Sequence, residues 1–151
     1  MQGEELAPRW YAQLVWSPAR STDEIISGNI PAGAGLYAFT RDRGILTPEN
    51  TLYVGKADGG RQTLRSRLRT YLSYFKNPQK PASNHAGKKD LVEYYKASPG
   101  SLFVRWTGVI VARELEGTLI DMLDPPFNHK DEHRFGFADD EEIPADMLYE
   151  V

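Results

Sequence analysis

The chain has 151 residues, of which 40% are apolar and 26% charged, a net charge of −3 and no cysteine. These figures describe one ordinary globular domain and exclude disulfides and thiolate zinc sites. No apolar run nears the ~18 residues of a membrane span, and Met1 to Arg9 lacks the layout of a signal peptide, so a cytoplasmic protein without a membrane partner is expected.

From the N-terminus, Trp10 to Trp16 alternates well enough for a strand that Ser17-Pro18 ends. Ser21 with Glu24 three residues on is a capping-box pattern and predicts a short helix over Thr22–Ser27. Gly28 to Gly35 reads as a loop. Two β-rich runs follow, Gly35–Thr40 and Thr51–Lys56, joined by a polar segment holding Pro48 and Asn50, and they read as an antiparallel hairpin. Over Thr63–Phe75 the residues Leu64, Leu68, Tyr71, Leu72 and Phe75 recur at helical spacing, with Arg65, Arg67 and Arg69 on other faces. Asn77–Gly87 reads as an exposed loop, Lys88–Ala97 as a second helix, Ser101–Val111 as a third strand and Arg113–Leu123 as a helix stopped by Pro125-Pro126. Mostly irregular chain is expected beyond Asn128. The three tryptophans, Trp10, Trp16 and Trp106, read as core. A central antiparallel sheet of three main strands flanked by helices gives an α+β class. It forms a single domain with an N-terminal extension to about residue 34 and an acidic tail over about 129–151.

Charge is spread unevenly. Between Lys56 and Lys89 stand Lys56, Arg61, Arg65, Arg67, Arg69, Lys76, Lys80, Lys88 and Lys89 against the single acid Asp58. Such a block suits phosphate contact, and Arg61, Arg65, Arg69, Lys76, His85, Lys88 and Lys89 are candidate DNA-binding residues. The acids Asp139, Asp140, Glu141, Glu142, Asp146 and Glu150 gather in the tail. That run reads first as solvated; docking on a protein partner, or shielding of the basic cleft by phosphate mimicry, are the readings left open.

The hairpin carries Gly35-Leu36-Tyr37 on one strand and Tyr53-Val54-Gly55 on the other. Alone, two tyrosines on neighbouring strands are an ordinary core pair. With Lys56, Arg65 and Arg67 downstream, Glu116 inside an otherwise apolar helix and Asn128 after two prolines, the chain holds the cations, phenols, carboxylate and amide of a phosphodiester site. In order and spacing these motifs resemble the GIY-YIG nuclease superfamily. The stretches Tyr53-Val54-Gly55-Lys56-Ala57 and Leu64-Arg65-Ser66-Arg67-Leu68-Arg69-Thr70-Tyr71 are similar to the nuclease domain of excision-repair incision enzymes. Leu115-Glu116-Gly117-Thr118-Leu119-Ile120 with Pro125-Pro126-Phe127-Asn128 is similar to that family's closing motif. The resemblance runs from Gly35 to Asn128. Leu36 and Val54 replace the isoleucines of the family's name, a volume-tolerant change. Asp58-Gly59-Gly60-Arg61 lengthens one connection, and Pro78–Gly100 is longer than in the smallest members, as in restriction-enzyme and toxin-like branches.

The resemblance implies in-line attack of water on a DNA phosphate assisted by Mg²⁺ or Mn²⁺. Glu116 would hold the metal, a hard ion suited to oxygen ligands. Tyr37 would be general base or proton relay, its phenol lowered from near 10 by cations. Arg67, or Arg65 in its place, and Lys56 would supply that positive field and stabilise the transition state. Tyr53 would hydrogen-bond a phosphate oxygen or the attacking water, and Asn128 would hold the neighbourhood of Glu116. Two other functions remain open at this stage: a catalytically silent nucleic-acid-binding module, and a toxin or effector nuclease regulated by a partner protein. A monomer or a transient dimer is expected.

Overall fold

A computed structural model describes residues 8–25, 29–77, 86–128, 138 and 140–148, with only the backbone for residues 86 and 87. Its centre is an antiparallel sheet in the order β1-β4-β2-β3, where β1 is Arg20–Ser21, β2 Gly35–Thr40, β3 Thr51–Ala57 and β4 Phe103–Gly108. The helices are α1 (Arg9–Ala12), α2 (Leu64–Lys76), α3 (Ala86–Ala97) and α4 (Ala112–Leu123), with a 3-10 turn at Ala145–Met147. Strands and helices segregated in this way make the α+β class expected. None of the described helices is long and apolar enough to cross a membrane.

Paired residues of an antiparallel ladder share a face, and alternate residues take opposite faces. Tyr37 sits opposite both Gly55 and Trp106, and Phe39 opposite Tyr53. Tyr37, Phe39 and Trp106 pack with Leu64, Leu68, Tyr71 and Phe75 of α2 and Leu91 of α3, with the partly buried Tyr53 against them. On the other face Leu36, Ala38 and Val54 meet Leu115, Leu119 and Leu123 of α4 and Trp10 near the N-terminus. Because both faces are covered, every residue of β2 is buried.

Local chemistry fixes the connections. The β2–β3 loop closes around the buried side chain of Asn50, which donates to Asp42 Oδ1 at 3.0 Å and the Ile45 carbonyl at 2.7 Å and accepts from the Thr47 amide at 2.9 Å. Between β3 and α2 the chain reverses at Gly59 and Gly60, both at positive φ, where a side chain would be strained. Thr63 then caps α2, accepting from the Ser66 amide while Ser66 Oγ accepts from the Thr63 amide. The first amides of α2 are not left orphaned: Leu64 donates to the Gly33 carbonyl and Arg65 to that of Pro31.

Four expectations are corrected. The sheet has four strands, not three, since Arg20–Ser21 adds a short strand outside β4. The segment Trp10–Trp16 is not a strand. Trp10 and Leu14 are spaced four apart, both are buried against the α4 layer, and Arg9–Ala12 forms a helical turn. The Ser21/Glu24 pattern makes its hydrogen bonds without a helix: Glu24 Oε1 accepts from the Ser21 amide at 3.1 Å, and Ser21 Oγ from Asp23 at 3.2 Å. Pairing of Ser21 with Phe103, and of the Thr22 amide with the Leu102 carbonyl, holds the chain extended there, so Thr22–Glu24 is a turn; Ile26 and Ser27, the end of the expected helix, lie outside the described residues. The third expected strand is shorter than Ser101–Val111, because Val109 bonds Ala34 and the chain turns into α4.

The C-terminal segment is also placed. Ile143 is buried in the α4 layer, its amide donating to Gln13 Oε1 at 2.6 Å and its carbonyl accepting from Gln13 Nε2 at 3.1 Å. Arg9 and Glu142 add an exposed ion pair at 3.1 Å. The described part of the acidic tail therefore docks, through Ile143, on the face opposite α2.

Candidate active site

Two glycines of the hairpin motifs are required by packing. A Cβ at Gly55 would overlap the ring of Tyr37, which lies across it, and one at Gly35 would overlap the Thr107 carbonyl and the Leu64 side chain. The glycines thus let Tyr37 lie flat on β3 and let α2 sit close on β2.

Around Tyr37 the fold gathers a polar cluster inside an aromatic core. Its hydroxyl donates to that of Tyr71, on α2, at 3.2 Å, and its ring meets that of Tyr71 edge to face with centroids 5.6 Å apart. Tyr53 and Tyr71 have centroids 6.3 Å apart. Arg67 lies one turn before Tyr71 on the same helix face, and its guanidinium acts on Tyr37 both as a positive charge and as a hydrogen-bond donor. Its NH1 donates to Gln62 Oε1 at 3.1 Å, whereas its Nε is buried with no acceptor among the described residues. Glu116, half-buried on α4, is close enough for its negative charge to push the pKa of both Tyr37 and Tyr53 up. Among the described residues no three His, Cys, Asp or Glu side chains gather into a ligand cluster.

The electrostatics correct one expectation. Cations do not bring Tyr37 down towards neutrality: burial is the dominant cause and pushes its phenol up, against the lowering by Arg67 and the Tyr71 hydrogen bond. Burial likewise pushes Tyr53 up to about 12 and holds Tyr71 well above its ordinary value. All three phenols carry their protons at neutral pH.

The remaining candidates divide. Arg67, not Arg65, joins the phenols; Arg65 Nε donates to the Ile30 carbonyl at 2.8 Å and ties down the loop that caps α2. Arg65 and Arg69 each stand two residues from Arg67, roughly 200° around the helix. Arg69 and Lys76 line a separate cavity of about 230 Å³ with Ile25, Leu72 and Ser73. Lys56 falls on the Val54 face of β3, and its ammonium pairs with Asp58 at 2.7 Å. Asn128 clamps β3 itself: its Oδ1 accepts from the Val54 amide and its Nδ2 donates to the Val54 carbonyl, both at 2.9 Å. With Phe127 donating to the Leu52 carbonyl, this segment covers the free edge of β3 and fixes the strand that carries Tyr53. Arg61 and Lys89 are exposed. Lys88 is not a surface contact; it is 9% exposed, with its ammonium over the rings of Tyr71 and Tyr74. His85 lies outside the described residues. Tyr71 closes the family-like stretch Leu64–Tyr71 but is not among the expected site residues; its position four residues after Arg67, on the same helix face, is the signal available for it.

Comparison with protein-family models, with curated proteins and with solved structures finds no match to this chain.

Proposed function

We propose that the chain is a metal-dependent DNA endonuclease of the GIY-YIG type, hydrolysing phosphodiester bonds by in-line attack of water. The observation that carries this reading is the meeting of Tyr37, Tyr53, Arg67, Tyr71 and Glu116, from β2, β3, α2 and α4, around a guanidinium whose buried Nε–H has no acceptor among the described residues. Buried donors are normally paired, so a phosphate oxygen is the natural complement of that group. A binding module needs cations alone; the carboxylate set among the phenols favours chemistry.

Glu116 would hold Mg²⁺ or Mn²⁺, and one protein carboxylate suits Mg²⁺, which keeps several waters and completes its shell from phosphate. When bound, the ion would stabilise the charge growing on phosphorus oxygens and on the leaving 3′ oxygen. Arg67 donates to a non-bridging oxygen and stabilises the transition state electrostatically. Tyr37, protonated at neutral pH, takes a proton from the attacking water as it passes its own to Tyr71; Tyr71 passes its own along its hydrogen bond to Tyr53, and the partly exposed Tyr53 releases one to solvent, so that each phenol ends neutral. Tyr53, also protonated, donates to a phosphate oxygen. Asn128 keeps Tyr53 in place through the backbone of Val54.

The test is conversion of supercoiled plasmid to nicked circles, with Mg²⁺ and with EDTA in its place. Nicking that needs the divalent ion is expected. Retention of DNA in a gel-shift assay with no cutting in Mg²⁺ or Mn²⁺ would instead make the chain a binding module.

A further inference from the structure

Lys88 breaks two local rules at once. A lysine is seldom buried, because removing an ammonium from water is costly, yet this residue is 9% exposed. It also stands in the first turn of α3, at the positive end of the helix dipole, where a cation is disfavoured. Its ammonium lies 5.4 Å from the ring centroid of Tyr71 and 5.1 Å from that of Tyr74, a position in which the negative faces of two phenols attract it. Tyr71 in turn receives the hydrogen bond of Tyr37 at 3.2 Å. A cation held in an unfavourable place, on the ring that backs the candidate nucleophile relay, is the kind of local conflict found at functional sites.

We infer that Lys88 is a positioning residue of the active site: by holding the face of Tyr71 it sets the hydroxyl that accepts from Tyr37. It does not touch the scissile phosphate. The inference rests on the nuclease reading for its kinetic consequence and on the Lys88–Tyr71–Tyr37 geometry for its structural one.

The test compares Lys88→Met, Lys88→Arg and Tyr71→Phe, singly and with Lys88→Met combined with Tyr71→Phe, by nicking kinetics at saturating and subsaturating DNA and by the ring resonances of Tyr37 in NMR spectra. Lys88→Met is expected to lower kcat about tenfold with KM for DNA little changed, and Lys88→Arg to stay within about threefold of wild type. Once Tyr71 has lost its hydroxyl, Lys88→Met should cost little more, because the two act through one hydrogen bond. The Tyr37 ring signals should move in Lys88→Met, carried through Tyr71. Should Lys88→Met fail to fold, Lys88→Gln serves in the same comparison. Wild-type kcat in the neutral variant would overturn the inference, as would full additivity with Tyr71→Phe or an equal loss in Lys88→Arg. A wild-type chain that cuts no DNA would sink the nuclease reading alone. The Tyr37 resonances would then decide for Lys88: moved signals uphold its positioning role, and unmoved signals overturn it.

Discussion

The two faces of the sheet are built from different materials. Under α4 the packing is mostly aliphatic, with Leu36, Ala38, Val54, Leu115, Leu119 and Leu123 in one cluster with the ring of Trp10. Under α2 and α3 it is aromatic, and several of its rings carry hydroxyls: Tyr37, Tyr53, Tyr71 and Tyr74. Aliphatic side chains contribute burial and packing but no chemistry. A phenol costs stability when its hydroxyl is buried unpaired, so a cluster of phenols is tolerable only as a connected network. Here the hydroxyls of Tyr37, Tyr53 and Tyr71 find each other, and that of Tyr37 finds Arg67. The contrast separates an apolar face from the face that carries the polar groups of the proposed site.

Substitutions on the two faces should therefore fail in opposite ways. The largest expected effect is Tyr37→Phe, which keeps the ring across Gly55 and removes the hydroxyl bonded to Tyr71. Cleavage should fall by about a thousandfold, within the range for loss of a proton-transfer group, with little change in melting temperature. Next is Arg67→Ala against Arg65→Ala. The first should lower kcat on the order of a hundredfold and weaken DNA binding, whereas the second should loosen the loop at Ile30 and lower stability while sparing kcat. On the aliphatic face, Leu119→Ala should cost about 3 kcal/mol of stability in urea denaturation and leave the activity of each folded molecule unchanged. Asn128→Ala sits between the two classes. Loss of its paired hydrogen bonds to Val54 should cost about 1–2 kcal/mol and lower cleavage through Tyr53.

The smallest effect is one of pH. Tyr37, Tyr53 and Tyr71 ionise above the ordinary phenol value in the folded state, so the folded chain holds those protons more tightly than the unfolded one. Stability from this source is complete below about pH 10 and is lost as pH rises towards the value of about 12 for Tyr53. Urea midpoints measured from pH 8 to 11.5 should show this fall, and Tyr53→Phe should shrink it.

Much of this plan was legible in the chain. Long periodic segments were placed to within a few residues: β2 begins and ends at Gly35 and Thr40, and α2 begins just inside the Thr63 cap. Errors collected where short segments obey tertiary contacts instead of local pattern. Trp10 and Leu14 could satisfy either period until the α4 layer was in place to receive them, and Ser21 was drawn into pairing with Phe103. At the site, residue types and order pointed to the phenols, the arginine and Glu116, but side-chain direction did not follow from the string. Lys56 and Tyr53, three apart on one strand, necessarily take opposite faces, and strand alternation could have shown it. The burial of Lys88 beneath the phenols had no such signal, because its partners Tyr71 and Tyr74 belong to a different helix.

The central claim, that the aromatic face is a hydrolytic centre completed by one carboxylate from α4, is tested most directly by the nicking rate as a function of Mg²⁺ concentration for wild type and Glu116→Gln at matched folding. Glutamine keeps the size of the side chain and removes its charge. The account predicts saturable Mg²⁺ dependence in the wild type, cleavage reduced by at least about a hundredfold in the variant, and DNA binding retained or strengthened as a negative charge leaves a site facing phosphates. A Glu116→Gln protein that cuts at the wild-type rate with the same Mg²⁺ dependence would contradict it.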